Sequence, residues 1–324
     1  MKWLILLGLA GGCRTKVSDA FDTLPRRWDV ADTLRGPSEN GYGAAVAWLD
    51  GEPIVGAPWH GPGRLYGSSG VLLEGQDADR LGEALLGGAE LWVGAPGRGD
   101  GGAVLRGLSG QVVEQGEAGE GLGRGLAEHD AGVVALSRRG YRPLGSATVA
   151  TPTPTWSILS INPSRDSPVN GTILLGYSSG SVGLAEASTT PRPTALGRSM
   201  LRCDLDQDGD DDVVIGDPLA GRVQFYVIDS MGAFDVDQPT FVQDLGPGAG
   251  FALGCVKGGV LVGAPDRPGG GAVAWLREPL TSQDVTWIEG EAKGKLGHSI
   301  SVGPGRVLIG DPGLGQAWIL SQAR

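Results

Sequence analysis

Histidine and cysteine are scarce in this chain, with three of each among 324 residues. That leaves little material for zinc sites or for histidine-based catalysis. Aromatic residues make up only 6%. No long stretch carries apolar residues at helical spacing, so little helix is expected. Nor does any apolar run approach the roughly twenty residues a membrane-spanning helix needs. Basic residues are outnumbered, 26 Lys and Arg against 37 Asp and Glu, for a net charge of −11. This balance argues against nucleic acid as a partner and against electrostatic attraction to anionic lipid.

What the chain has in abundance is glycine and proline, 58 and 21 residues, alongside 40% apolar residues. Short strands joined by tight turns consume glycine and proline in this way. At the N-terminus, Lys2, the apolar run Trp3 to Ala10 and the small residues before Cys13 form an export signal. The pattern resembles a bacterial lipoprotein signal, which implies lipidation of Cys13 after removal of the segment before it. Arg14 follows the cysteine, and by the same resemblance the expected location is the outer membrane, within the cell envelope. Secretion or a periplasmic location, with cleavage near Ala10, is the alternative. Residues 1–13 are thus expected to be the signal, 14–27 a tether and 28–324 the folded domain.

Internal repetition organises the rest. EPIVGAP (52–58), ELWVGAP (90–96) and GVLVGAP (259–265) are near copies, and DVVIGDP (212–218) and RVLIGDP (306–312) end in aspartate-proline. TILLGYS (172–178) keeps the strand and the glycine, and GVVALSR (132–138) keeps only the apolar run. Taking Gly56, Gly94, Ala135, Gly176, Gly216, Gly263 and Gly310 as equivalent gives steps of 38, 41, 41, 40, 47 and 47 residues. Upstream lies a second element: YGAAVAWL (42–49), LGEALLGG (81–88), LGRGLAEH (122–129), LGRSMLRC (196–203) and LGHSISVG (296–303), with FALGCVKG (251–258) a looser relative. Third and fourth apolar patches follow, such as GAVAWL (271–276) and VTWIEG (285–290). Four short strands every forty-odd residues is the pattern of a propeller blade.

The paired elements, with one aspartate-rich loop between them, resemble the FG-GAP repeat family, the β-propeller of integrin α-subunits. The resemblance runs from about residue 28 to 320 and is weakest around ATVATPTPTWS (147–157). The expected fold is all-β: a seven-bladed β-propeller of four-stranded antiparallel blades. The chain ends on a third-strand element, so Trp28 to Leu34 is expected to supply the missing outer strand and close the ring.

In CDLDQDGDDDVVIGDP (203–218), Asp204, Asp206 and Asp208 alternate before Gly209, and Asp210 and Asp212 follow. Alternating carboxylates around a glycine turn suit calcium. Position 12 of the loop is Ile215, inside a strand, which excludes an EF-hand. The family resemblance implies one Ca2+, held by the side chains of Asp204, Asp206, Asp208 and Asp212 with the Asp210 carbonyl. Other copies have short turns at this place, as in LDGE (49–52). One metal among them is expected to pin a hairpin instead of serving chemistry.

Strands alternate direction within a blade, so this loop and the Gly-Ala-Pro loops fall on opposite rims. The integrin-like resemblance places ligand contact on the Gly-Ala-Pro face, where Trp59, His60, Arg98, Asp100, Asp217, Asp266 and Arg267 are the candidates. Arg98-Gly99-Asp100 is read as a turn of common residues, Asn170-Gly171-Thr172 likewise, and GEGLGRG (119–125) lacks the full dinucleotide-loop pattern. No D-x-S-x-S motif occurs. Trp275 and Trp318 are expected in the core. Cys203 and Cys255 lie on first strands of neighbouring copies at unequal positions, and are expected to be buried free thiols. His129 and His298 have no evident triad partners. The leading expectation is a non-enzymatic, envelope-tethered, monomeric module that binds protein or glycan. A propeller-fold hydrolase or lyase and a structural envelope scaffold are the alternatives.

Overall fold

The computed structural model describes residues 27–129, 132–151, 155–161, 172–177, 182–184, 195–208, 211–228, 235, 237–277 and 285–322. Cys13, Asp210 and the Asn170-Gly171 pair, with the signal and most of the tether, lie outside these residues. Strands form where Val, Ile, Leu and Ala runs are bounded by Gly, Pro and Asp turns, and every strand pairing within a sheet is antiparallel. One short 3-10 turn, Ser38–Asn40, is the only helical element among the described residues.

The expectation of seven four-stranded blades is corrected: among the described residues there are six. They span residues 45–74, 85–115, 125–150, 199–244 and 252–289, with the sixth made of 299–322 and 28–35. Between the 125–150 and 199–244 blades the chain forms a three-stranded sheet, Thr155–Ile161, Thr172–Tyr177 and Val182–Leu184. The sequence that follows, AEASTTPRPT (185–194), lies outside the described residues. It has no alternation of apolar residues, and its two prolines cannot donate to a ladder.

Trp28–Arg35 joins the last sheet as its outer strand, paired from Trp28 opposite Gln322 to Arg35 opposite Gln316 with a register shift between Val30 and Asp32. The first strand of each sheet touches that of the next, and the cycle closes from Ser299–Gly303 back to Ala45–Leu49. Trp48 Nε1 donates to the Ser301 carbonyl at 3.1 Å across this closure.

Each interface between neighbouring sheets holds its own apolar cluster. Val214, Phe225 and Val262 fill one, and Leu261, Trp275 and Trp318 the next, so both tryptophans are core. The repeat glycine explains how sheets come this close. A Cβ on Gly94, Gly216, Gly263 or Gly310 would sit 1.9–2.0 Å from the carbonyl oxygen of Gly123, Gly250, Gly297 or Gly43 on the adjacent sheet. Only glycine allows backbone to approach backbone so closely. Ser199 and Ser299 reinforce the same contacts by donating their hydroxyls to the Gly250 and Gly43 carbonyls.

The alternation between Gly-Ala-Pro and Gly-Asp-Pro also has a structural basis. At four connections between sheets a buried carboxylate binds backbone N–H groups. Asp79 and Glu120 supply it from within the connection, accepting from the Gln76 and Glu117 N–H groups at 2.8 and 2.7 Å. Gly294 stands at the equivalent place before the last inner strand, and a Cβ there would meet the Asp311 carboxylate at 2.6 Å. Asp311 reaches in from the neighbouring strand and accepts from the Lys295 N–H at 2.6 Å. Burial is the largest influence on Asp311 and raises its pKa, against the N–H bonds that lower it.

Cys203 and Cys255 are bonded, with Cα atoms 5.7 Å apart, which corrects the expectation of free thiols. The register shows why their unequal positions permit the bond. Cys203 pairs with Asp212, and Cys255 sits one place earlier in its own strand, opposite Val260. Side chains alternate faces along a strand, and neighbouring sheets present opposite faces to each other. A cross-link between adjacent inner strands therefore requires residues one step out of phase.

Candidate functional site

Two ends of the ring carry different chemistry. Because strands alternate, the hairpins between first and second strands lie at one end. The starts of the first strands share the other end with the loops between second and third strands.

At the hairpin end, the Ser199–Cys203 and Asp212–Asp217 strands carry the acidic loop. Asp204, Asp206 and Asp208 are exposed, and a carboxylate oxygen from each lies within 4.8 Å of the others. Three hard oxygen donors that converge in this way fit a calcium ion. Asp212 is fully buried and differently used. Its two oxygens accept from the Leu205 and Ile228 N–H groups at 2.7 and 2.8 Å, tying the loop to the end of the third strand. Burial is the main cause of its raised pKa, with Asp206 and Asp208 adding to it. The disulfide at Cys203 anchors the residue directly before Asp204.

At the other end, the ring axis opens into a cavity of about 530 Å³. One residue from every sheet lines it: Ala44, Glu83, Arg124, Thr155, Arg198, Phe251 and His298. All but Thr155 directly follow the glycine that opens a first strand, so the ring symmetry carries one sequence column to the axis. Trp59 and Arg80 complete the rim from loops next to the 45–74 blade. With His298 neutral, three arginines against one carboxylate leave the mouth at +2 (three minus one), in a chain whose net charge is −11.

The groups around the mouth are unequally satisfied. Arg80 pairs with Glu83 at 2.5 Å. Burial raises the Glu83 pKa, against the opposing effect of Arg80, Arg124 and Arg138. Arg198 stacks its guanidinium over the Phe251 ring at 4.4 Å and has no carboxylate partner among the described residues. Its burial lowers its pKa. His298 accepts no proton at ordinary pH, because burial first, and the positive charge of Arg198, bring its pKa down to about 4. Its Nδ1 lies 3.1 Å from the Ala44 carbonyl, and its ring meets Phe251 at 4.8 Å and Trp59 edge-on at 5.9 Å. Thr155 is 93% buried, and its hydroxyl has no hydrogen-bond partner among the described residues.

Of the sequence-predicted ligand-face residues, only Trp59 lines this cavity, at 37% exposure. His60 is exposed beside it, with a positive φ of 54°. Arg98 faces Asp79 at 3.5 Å, and Asp100 is exposed on the turn, where its carbonyl accepts the Gly119 N–H. Asp217 is fully buried and accepts from the Ala195 and Ala220 N–H groups, so it builds the fold. Asp266 pairs with Lys295 at 2.5 Å, and Arg267 covers the Trp287 ring at 3.7 Å. Sequence reading missed Arg80, Glu83, Arg124, Thr155, Arg198, Phe251 and His298. For Glu83, Arg124, Arg198 and His298 the signal was available in the L-G-x element, where a recurring Leu-Gly pair precedes a position that varies in charge and shape.

No protein-family model matches the chain, and no curated protein matches it. Solved structures do. The WD40 β-propeller domain of Doa1 superposes with a TM-score of 0.63 at 13% identity, over 92% of this chain and 98% of that one. The Myceliophteria thermophila Cps50 (Swd1) β-propeller domain gives 0.63 at 10% identity, over 92% and 100%. Chaetomium thermophilum Raptor gives 0.62 at 9% identity; 95% of this chain is covered, but it spans only 30% of the Raptor chain. At such identities the likeness shows the fold alone: the chain folds as a β-propeller, similar in architecture to those WD40 domains.

Proposed function

We propose that this protein is a non-enzymatic binding propeller that takes a protein or glycan ligand at the loop face around the axial cavity. The observation that carries the reading is the cavity itself, where one side chain from every sheet converges, a half-buried arginine has no carboxylate partner among the described residues and a buried hydroxyl has no hydrogen-bond partner. β-Propellers of WD40 type are typical protein-interaction modules, which supports the general role. The lining holds one carboxylate, already paired with Arg80, and no nucleophile–base pair among the described residues, which favours binding over hydrolysis. The test is a pull-down from envelope extracts, together with a glycan array, using the mature chain and its Trp59→Ala variant. Specific capture that is lost in the variant supports the reading. Capture that is absent, or indifferent to Trp59, overturns it.

In the same reading the protein is exported, tethered at Cys13 and of FG-GAP type, with one calcium ion held by Asp204, Asp206 and Asp208. The ion would supply charge neutralisation and pin the hairpin, adding to folding free energy. Calcium titration followed by calorimetry should give one site, and EGTA should lower the melting temperature without abolishing the fold. An Asp204→Asn, Asp206→Asn double variant should lose both effects. An unchanged melting curve in EGTA would sink the calcium assignment.

A further inference from the structure

The unsatisfied groups at the channel mouth specify more than a generic ligand. We propose that the cavity is a site for a carboxylated sugar, the acidic terminal residue of a glycan, with Arg198 and Arg124 taking the carboxylate and Trp59 forming the platform for the ring. This deepens the binding reading above and rests on it.

The mouth is locally cationic in an acidic protein, and that arrangement places arginines where a cation-repelling, anion-accepting site is needed. Arg80 makes the close ion pair with Glu83, and Arg124 acts on that carboxylate only at longer range, which leaves Arg124 and Arg198 without a close ion pair among the described residues. Arg198 is also oriented. Its contact with the Phe251 ring restrains the guanidinium at the cavity wall, and a guanidinium so placed can grip a carboxylate through two parallel hydrogen bonds. A partly desolvated guanidinium gains more from such a partner than one in water does.

Polar and ring contacts then select among anions. The Thr155 hydroxyl is buried at the cavity wall without a partner, and a buried hydroxyl left unsatisfied is costly. A ligand hydroxyl or carboxylate oxygen satisfies it. Trp59, held edge-on to His298, offers a flat apolar surface at the rim. Polar groups dominate the rest of the lining, which suits a polyhydroxylated ring better than an apolar peptide side chain. A volume of about 530 Å³ admits one sugar residue with its linkage continuing out of the mouth.

The test titrates sodium glucuronate, glucose and inorganic phosphate into the mature full-length chain by calorimetry or NMR. Glucuronate is expected to bind at least tenfold tighter than either glucose or phosphate. Arg198→Met and Arg124→Ala should each weaken glucuronate tenfold or more, and Arg124 is exposed, so its variant should melt as wild type does. Equal binding of glucose removes the role of the carboxylate, and equal binding of phosphate reduces the site to one for bare anions; either overturns the proposal. So does full glucuronate affinity in both variants. If glucuronate fails while the array or the extract yields a neutral glycan or a protein in a Trp59-dependent manner, the acidic-sugar inference falls and the binding reading stands. If nothing binds in any arm, both fall.

Discussion

Reducing the Cys203–Cys255 disulfide should destabilise the propeller by an amount the structure sets. The bond closes a segment with a sequence separation of 52. In the chain-entropy description, a loop of that length removes about 14 cal/mol/K from the unfolded ensemble, or about 4 kcal/mol at 25 °C. The two cysteines flank a buried interface shared by Leu205, Val214, Val260 and Val262, so the native geometry is held by packing as well as by the bond. Packing should therefore persist after reduction, and the loss should sit mainly in the unfolded state. For a cooperative unit of roughly 300 residues, with about 2.1 cal/mol/K of unfolding entropy per residue, 4 kcal/mol corresponds to about 6 °C in Tm. The assay is thermal unfolding with and without dithiothreitol, beside a Cys203→Ser, Cys255→Ser double variant, with differential alkylation to confirm the thiol state. Reduced wild type and double variant should melt together, several degrees below the oxidised protein. If reduction leaves Tm within a degree while alkylation shows both thiols free, the interface does not depend on the bond and the reasoning fails.

Removal of residues 1–36 deletes the outer strand that pairs with Gln316–Gln322 and the buried Trp28. Lost ladder bonds at about 1 kcal/mol each and one tryptophan at about 2–3 kcal/mol exceed 5 kcal/mol, so denaturant unfolding should shift sharply; an unchanged midpoint counts against ring closure. Gly263→Ala places a methyl 2.0 Å from the Gly297 carbonyl and should cost roughly 3 kcal/mol by chemical denaturation, where a neutral result would mean the sheets can part freely. His298 is held uncharged, so the unfolded chain takes up its proton near pH 6.5 and the folded one only near pH 4. Its contribution is complete above pH 6.5 and is lost as pH falls toward 4, by up to about 3 kcal/mol. Urea melts across this range should show a smaller acid loss in His298→Gln than in wild type, and parallel profiles would refute the burial argument.

The fold was legible because repetition exposes the residues that every sheet needs. Gly56, Gly94, Gly216, Gly263 and Gly310 recur because adjacent backbones meet there, and the third-strand element at 315–320 led to Trp28 to Leu34 as the closing strand, which the structure extends to Arg35. The region from 155 to 184 was legible only in part. Its first strand, Thr155–Ile161, opens without the L-G element, and proline-rich sequence follows its last strand, so neither boundary signal was present. The disulfide was misread because unequal strand positions look incompatible until the facing of neighbouring sheets is known.

Most of the candidate site was hidden for a related reason. The ligand-face residues drawn from the sequence came from loops, where exposure is expected, but Asp217, Asp266 and Arg267 are occupied with internal contacts. Residues that meet at the axis come from a position next to an invariant glycine, which reads as part of the scaffold. A closed ring turns that position into a circle of side chains facing a common void. Side chains at that position face the void instead of the apolar clusters between sheets, and Ala44, Glu83, Arg124, Arg198, Phe251 and His298 differ in size, charge and shape there. In a ring of repeats, what recurs specifies how sheets pack, and what departs from the repeat at the axis is where recognition should be sought.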